Sequence, residues 1–99
     1  MNKEEEFCIM RDNPPLWRNK RFNGSHRHEV FFGTRNRQKS IEDGLIVFLK
    51  PELHNMSNEG VHFNQQFRDY MQKEGQRQWM AYYDKTIDDF IKRYGKNYL

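Results

Sequence analysis

Residues 26–54 read HRHEVFFGTRNRQKSIEDGLIVFLKPELH, and the fold turns on how this stretch divides. Residues 27–32 are short, rich in β-formers and stopped by Gly33, which predicts a strand. Residues 45–49, LIVFL, are compact and apolar and predict a second strand. Between them residues 34–44 are polar and basic, a long loop or a single short helical turn, so the strands form a hairpin with a long connection. Pro51 suits the first position of a short helix over 51–56, where its missing N–H leaves nothing unsatisfied, and Ser57-Asn58-Glu59-Gly60 breaks that helix.

Downstream, Phe67, Tyr70, Met71, Trp79, Tyr82 and Tyr83 fall at helical spacing, predicting one long helix from Phe63, either continuous or interrupted near Gly75. A last helix has Thr86 as N-cap, Asp88 and Asp89 in its first turn where the helix dipole favours anions, and Lys92, Arg93 and Gly95 at its end. Ile87, Phe90, Ile91 and Tyr94 are its expected buried stripe. Upstream, Asn13-Pro14-Pro15 and Asn23-Gly24-Ser25 are turn signals, so residues 1–25 read as an irregular lead-in. The expectation is one α+β domain over residues 1–99: the lead-in, a two-strand-and-helix finger over 26–62, and two helices over 63–99.

Composition bounds the function. A chain of 99 residues with 35% hydrophobic content and a mean hydropathy of −1.16 has little apolar material to bury. It has no apolar run of about 18 residues, and MNKEEE lacks a secretory signal's basic start and apolar core, so a cytoplasmic protein with no membrane span is expected. The single cysteine, Cys8, forms no intramolecular disulfide and cannot alone complete a structural zinc site. An aromatic content of 15% is the compensation: Trp79, Tyr82, Tyr83, Phe90 and Tyr94 are assigned to the core. A dimer that covers surplus aromatic surface remains an open alternative.

Charge is concentrated. Between Arg11 and Lys39 stand eight basic residues and two acidic ones, a net +6 in a chain whose total is +3. Such an uneven distribution suits a surface that meets phosphate, although a solvated basic loop has the same composition. Arg35, Arg37 and Lys39 lie between the two strands and, with Arg27, are the candidate nucleic-acid contacts. The histidines are His26, His28, His54 and His62; two lie on or beside the first strand and two flank the connection after the second. A hairpin folding back would bring them together, which suits a divalent metal and a general base.

The order His28-Glu29 on a strand, then LIVFL, then His54-Asn55 and His62 before a helix resembles the HNH, or ββα-metal, endonucleases. More closely, RHEVFFGTRNRQKSIEDG, LKPELHNMSNEGVHFN and TIDDFIKRYGKNYL resemble the small HNH proteins of bacteriophages and prophages, over roughly three quarters of the chain. The resemblance implies a ββα-metal finger and hydrolysis of DNA phosphodiester bonds with one divalent cation, Mg²⁺ or a transition metal. It implies catalytic roles for His28 and Glu29 and metal ligation by His54 and His62. Strict alignment makes His28 a ligand and Glu29 the base, whereas the basicity of imidazole favours His28 as base, the reading preferred here. His26, two residues away on the same strand face, is a possible substitute ligand.

Relatives of that subgroup carry two Cys-x-x-Cys or Cys-x-x-His pairs around a structural zinc. The corresponding positions here are Cys8 with Arg11 and Lys50 with Leu53, so no structural zinc is expected. The family's asparagine is replaced too, with Gly44 and Leu45 at its place and Asp43 nearest. These departures keep a second class of function open, a non-catalytic protein on an HNH scaffold that binds and inhibits a host defence nuclease such as a CRISPR effector.

Overall fold

The computed structural model describes residues 6–54 and 64–99. Its elements are β1 (His26–Glu29), α1 (Arg37–Asp43), β2 (Ile46–Leu49), α2 (Pro51–His54), α3 (Gln65–Tyr83) and α4 (Ile87–Tyr94). β1 and β2 form an antiparallel pair in which His26 faces Leu49, Arg27 faces Phe48, His28 faces Val47 and Glu29 faces Ile46. The result is a small α+β domain: a two-stranded hairpin with helices. Among the described residues no helix is long and apolar enough to cross a membrane.

The first strand stops earlier than expected for a local reason. Val30 still donates its N–H to Leu45, but the N–H and C=O of Phe31 are both taken by the Ser40 hydroxyl, at 3.0 and 2.7 Å. Ser40 sits on α1, so the segment expected as a loop or single turn is a two-turn helix that ties itself to the strand. That helix ends at Gly44, whose φ of 79° and close approach to Ile9 leave no room for a side chain: an added Cβ would lie 3.0 Å from the Ile9 nitrogen. Polar composition concealed α1 because its stability comes from these tertiary ties rather than from an apolar stripe.

The lead-in is also more ordered than its composition suggests. Arg18 exchanges both backbone hydrogen bonds with Phe48, at 3.0 and 2.9 Å, and so extends the outer edge of β2. Met10 and Trp17 are buried to 1% exposure and belong to the core with Val30, Phe31, Leu45, Val47, Leu49, Met71, Trp79, Phe90 and Tyr94. The Trp17 ring stacks on Phe67, and its N–H is satisfied by the Arg11 carbonyl at 2.9 Å.

Asn64 caps α3 by accepting the Phe67 N–H. The helix then runs through Gly75 without a break, the continuous one of the two alternatives. An added Cβ there would meet Val30 Cγ1 at 2.7 Å and Phe31 Cε2 at 3.2 Å, so glycine serves close helix-to-strand packing instead of a turn. Gly75→Ala is therefore expected to destabilise the fold by about 1–2 kcal/mol, because overpacking outweighs the helix-propensity gain of about 1 kcal/mol. Urea unfolding checks this; a variant at least as stable as the parent would refute the close-packing explanation.

On the same helix Tyr82 is 58% exposed, contrary to its assignment to the core. It lies off the buried row Met71, Gly75, Trp79 and meets only the edge of Phe7 among the described rings beyond its neighbour Tyr83. α4 has the N-cap expected at Thr86, which the structure extends to a capping box with Asp89 as its reciprocal partner, and ends at Gly95. Its buried residues are Phe90 and Tyr94, whereas Ile87 is 40% exposed. Phe31, Trp79 and Tyr98 converge on the later turns of α4 and leave the first one outside.

Candidate functional site

Strand alternation places His26 and His28 on one face of β1 and Arg27 and Glu29 on the other. Directly after β2, Lys50 leads into the single turn of α2, and His54 at its end returns to the histidine face. The Nδ1 atoms of His26 and His54 stand 3.1 Å apart, so one carries the hydrogen and the other accepts it. The His28 ring lies 5.3 Å from that of His54 and 5.3 Å from that of Phe32. His28 is buried, at 2% exposure, while His26 and His54 are half-buried. His62 lies outside the described residues.

Glu29, the second member of the doublet, turns away from this cluster. Its carboxylate accepts from Arg27 Nε at 3.1 Å and pairs with Arg37 Nε at 3.6 Å. Arg27 also donates to Glu6 at 3.0 Å, and Arg21 donates to the same carboxylate. Burial works to raise the pKa of Glu6, but hydrogen bonds from Arg21 and Arg27 outweigh it and hold the carboxyl below its usual range. Of the four candidate phosphate contacts, Arg35 is exposed, and Arg27 and Arg37 pair with acids. Lys39 donates to the Arg93 carbonyl at 2.8 Å, near the end of α4, where a cation complements the helix dipole.

Cys8, Arg11, Lys50 and Leu53 each have an ordinary place in the fold. Cys8 donates its thiol to the Ile46 carbonyl at 3.0 Å, and burial pushes that thiol above its ordinary range. Leu53 packs against the core, while Arg11 and Lys50 are exposed.

Sequence reasoning missed the role of Asp43, which joins several elements. Its carboxylate accepts from Trp79 Nε1 at 2.8 Å, Arg93 Nε at 2.8 Å, Arg93 Nη2 at 2.9 Å and the Tyr94 hydroxyl at 2.7 Å. Its backbone carbonyl accepts from the Tyr83 hydroxyl at 2.9 Å. One residue therefore fastens the end of α1 to both C-terminal helices. The available signal was the coincidence of Trp79, Tyr83, Arg93 and Tyr94, whose N–H and O–H donors need acceptors when covered.

This network has a pH signature. Burial, and secondarily the Asp43 carboxylate, push the phenols of Tyr94 and Tyr83 above their ordinary range; burial alone does so for Tyr98. In the unfolded chain these phenols ionise near pH 10. Their raised folded values contribute stability that is fully present below about pH 10 and lost as pH rises toward the folded values. Urea midpoints measured from about pH 9 to about pH 11.5 should be flat at first and then fall, less steeply in Tyr94→Phe; a constant midpoint would contradict the assignment.

Among the described residues no three His, Cys, Asp or Glu side chains are placed to hold a metal ion together. The pair His26–His54 nevertheless has the right spacing for two ligands. Nitrogens bonded to one ion at about 2.0–2.1 Å lie about 2.8 to 3.4 Å apart for bond angles between octahedral and tetrahedral. The observed 3.1 Å falls inside that interval. No family model, no curated protein and no solved structure matches this chain.

Proposed function

We propose that this protein is a metal-dependent DNA endonuclease of the HNH type, in which the hairpin and the segment after it act as a ββα-metal finger. The observation that carries the reading is the pair of imidazole nitrogens 3.1 Å apart, one from β1 and one from α2, with the His28 ring beside them. Two imidazole nitrogens are good donors for a transition metal, whereas Mg²⁺ would draw most of its shell from water and phosphate oxygens. His26 and His54 would hold the ion, with His62 as a further ligand. When bound, such an ion supplies Lewis-acid polarisation of the scissile phosphate and neutralises charge on the departing 3′ oxygen.

The chain's own side chains supply the rest. His28 accepts the proton of the attacking water, a role worth about 10²–10⁴ in rate for a placed general base. Glu29 holds Arg27 and Arg37 on the opposite face of β1, so it acts as a positioning residue for those cations rather than as the base. Arg35, exposed beside them, contacts the DNA backbone.

The test is conversion of supercoiled plasmid to nicked or linear product by wild type with Mg²⁺, Mn²⁺ or Ni²⁺, compared with EDTA and with His28→Ala. Metal-dependent product that His28→Ala fails to make supports the reading. An intact plasmid with every metal, together with tight binding to a purified host defence nuclease, would overturn it in favour of the non-catalytic scaffold.

A further inference from the structure

The opposite side of the hairpin carries a second concentration of positive charge. The lead-in segment runs along the outer edge of β2, held by the paired backbone hydrogen bonds of Arg18 and Phe48. Beside it lies a cleft of about 600 Å³ whose lining includes Arg18, Lys20, Arg21, Lys50, Phe22 and Asp12. Asp12 is the only acid of that lining, and its carboxylate is already accepting the Asn19 N–H at 2.6 Å. Arg21 is committed elsewhere, paired with Glu6 and lying over the Phe48 ring at 5.1 Å.

Arg18, Lys20 and Lys50 are different. All three are exposed, and among the described residues none of them forms an ion pair. Three cations without an ion pair among the described residues line one cleft and repel each other, and a regularly spaced polyanion relieves that repulsion. Lys50 also stands immediately before α2, the helix that ends at His54. The cleft therefore adjoins the candidate metal-holding element along the chain.

We infer that this cleft is a backbone-binding site for duplex DNA, in which Arg18, Lys20 and Lys50 each contact a phosphate. The inference rests on the DNA-cleaving reading above and extends it: the basic lead-in, not only the connection between the strands, holds the substrate. Contacts of this kind fix register on the duplex and read no bases.

The experiment is fluorescence anisotropy of a labelled duplex in EDTA over a range of salt, so that binding is read without cleavage. For the full chain, Arg18→Gln/Lys20→Gln/Lys50→Gln should bind at least about tenfold more weakly at about 100 mM salt. Its plot of log affinity against log salt should be shallower by about 2.7, or about 0.9 for each lost phosphate contact. Lys20→Gln/Lys50→Gln, which touches neither partner of the Arg18–Phe48 backbone pairing, should show about two thirds of that change and guards against a folding defect in the triple variant. If wild type binds and both variants keep its affinity and slope, the cleft is not the site, while the nuclease reading stands. If wild type binds no DNA, both fall. If binding and slope behave as expected but plasmid stays intact with every metal, the cleft stands and the cleavage reading falls.

Discussion

Asp43→Ala is expected to lower the unfolding free energy by about 3–5 kcal/mol, the range for breaking a buried, hydrogen-bonded charge network by removing one partner. The substitution strands the Trp79 N–H, the Tyr94 hydroxyl and two guanidinium donors that now meet one carboxylate at 2.7–2.9 Å. Arg93 is a third exposed, so water takes over part of its loss, which keeps the expectation below a sum of all four bonds. Domains of this size have about 5–15 kcal/mol in total, so the variant sits near the edge of folding. The melting temperature should fall by roughly 12 °C or more. Asp43→Asn, which keeps one acceptor oxygen but turns an amide toward the surrounding donors, should lose somewhat less. Urea unfolding of the parent and both variants checks the series; a loss under about 1 kcal/mol for alanine would show that the network is not what joins α1 to the C-terminal helices.

His54→Ala should behave in the opposite way, with small effect on stability and large effect on chemistry. The side chain is half-buried at the end of a four-residue helix and is not a member of the core cluster. Stability should change by about 1 kcal/mol or less. Lewis-acid stabilisation is worth several kcal/mol, so losing a ligand should slow plasmid cleavage by about a thousandfold or more, at 1.36 kcal/mol for each factor of ten. His26→Ala should resemble it, because its Nδ1 is the atom that faces His54. Equal cleavage rates for parent and His54→Ala would remove this histidine from the site.

The elements whose stability is local were legible in the sequence. The Thr86 N-cap, the Asp88 and Asp89 pair and Gly95 delimit α4 from side-chain chemistry alone, and the structure agrees to the residue at its caps. The LIVFL run and the Pro51 helix start were equally plain. What was not legible depends on distant partners. α1 has no apolar stripe and is held by Ser40 and Asp43 reaching other elements. Gly75 looks like a helix breaker until Val30 is found 2.7 Å from where its Cβ would be. Trp17 reads as part of a turn-rich loop until Phe67 and Tyr70 are seen beside its ring.

The candidate site divides in the same way. Strand alternation was enough to put His26 and His28 together, and the return of the chain after β2 was enough to bring up His54. The pairing of His26 with His54 needed the geometry of α2, a single turn whose direction no local pattern encodes. Glu29 was harder still, since its neighbour in sequence is His28 but its neighbours in space are Arg27 and Arg37.

The most direct test of the histidine cluster as a metal centre is a titration of the protein with Zn²⁺, as a diamagnetic probe, followed by nitrogen chemical shifts of the imidazole side chains. The expected result is one saturable site, with the Nδ1 signals of His26 and His54 moving together to metal-coordinated values and no coordination in His54→Ala. A titration in which neither Nδ1 signal moves, or in which His54→Ala binds the ion as tightly as the parent, would contradict it.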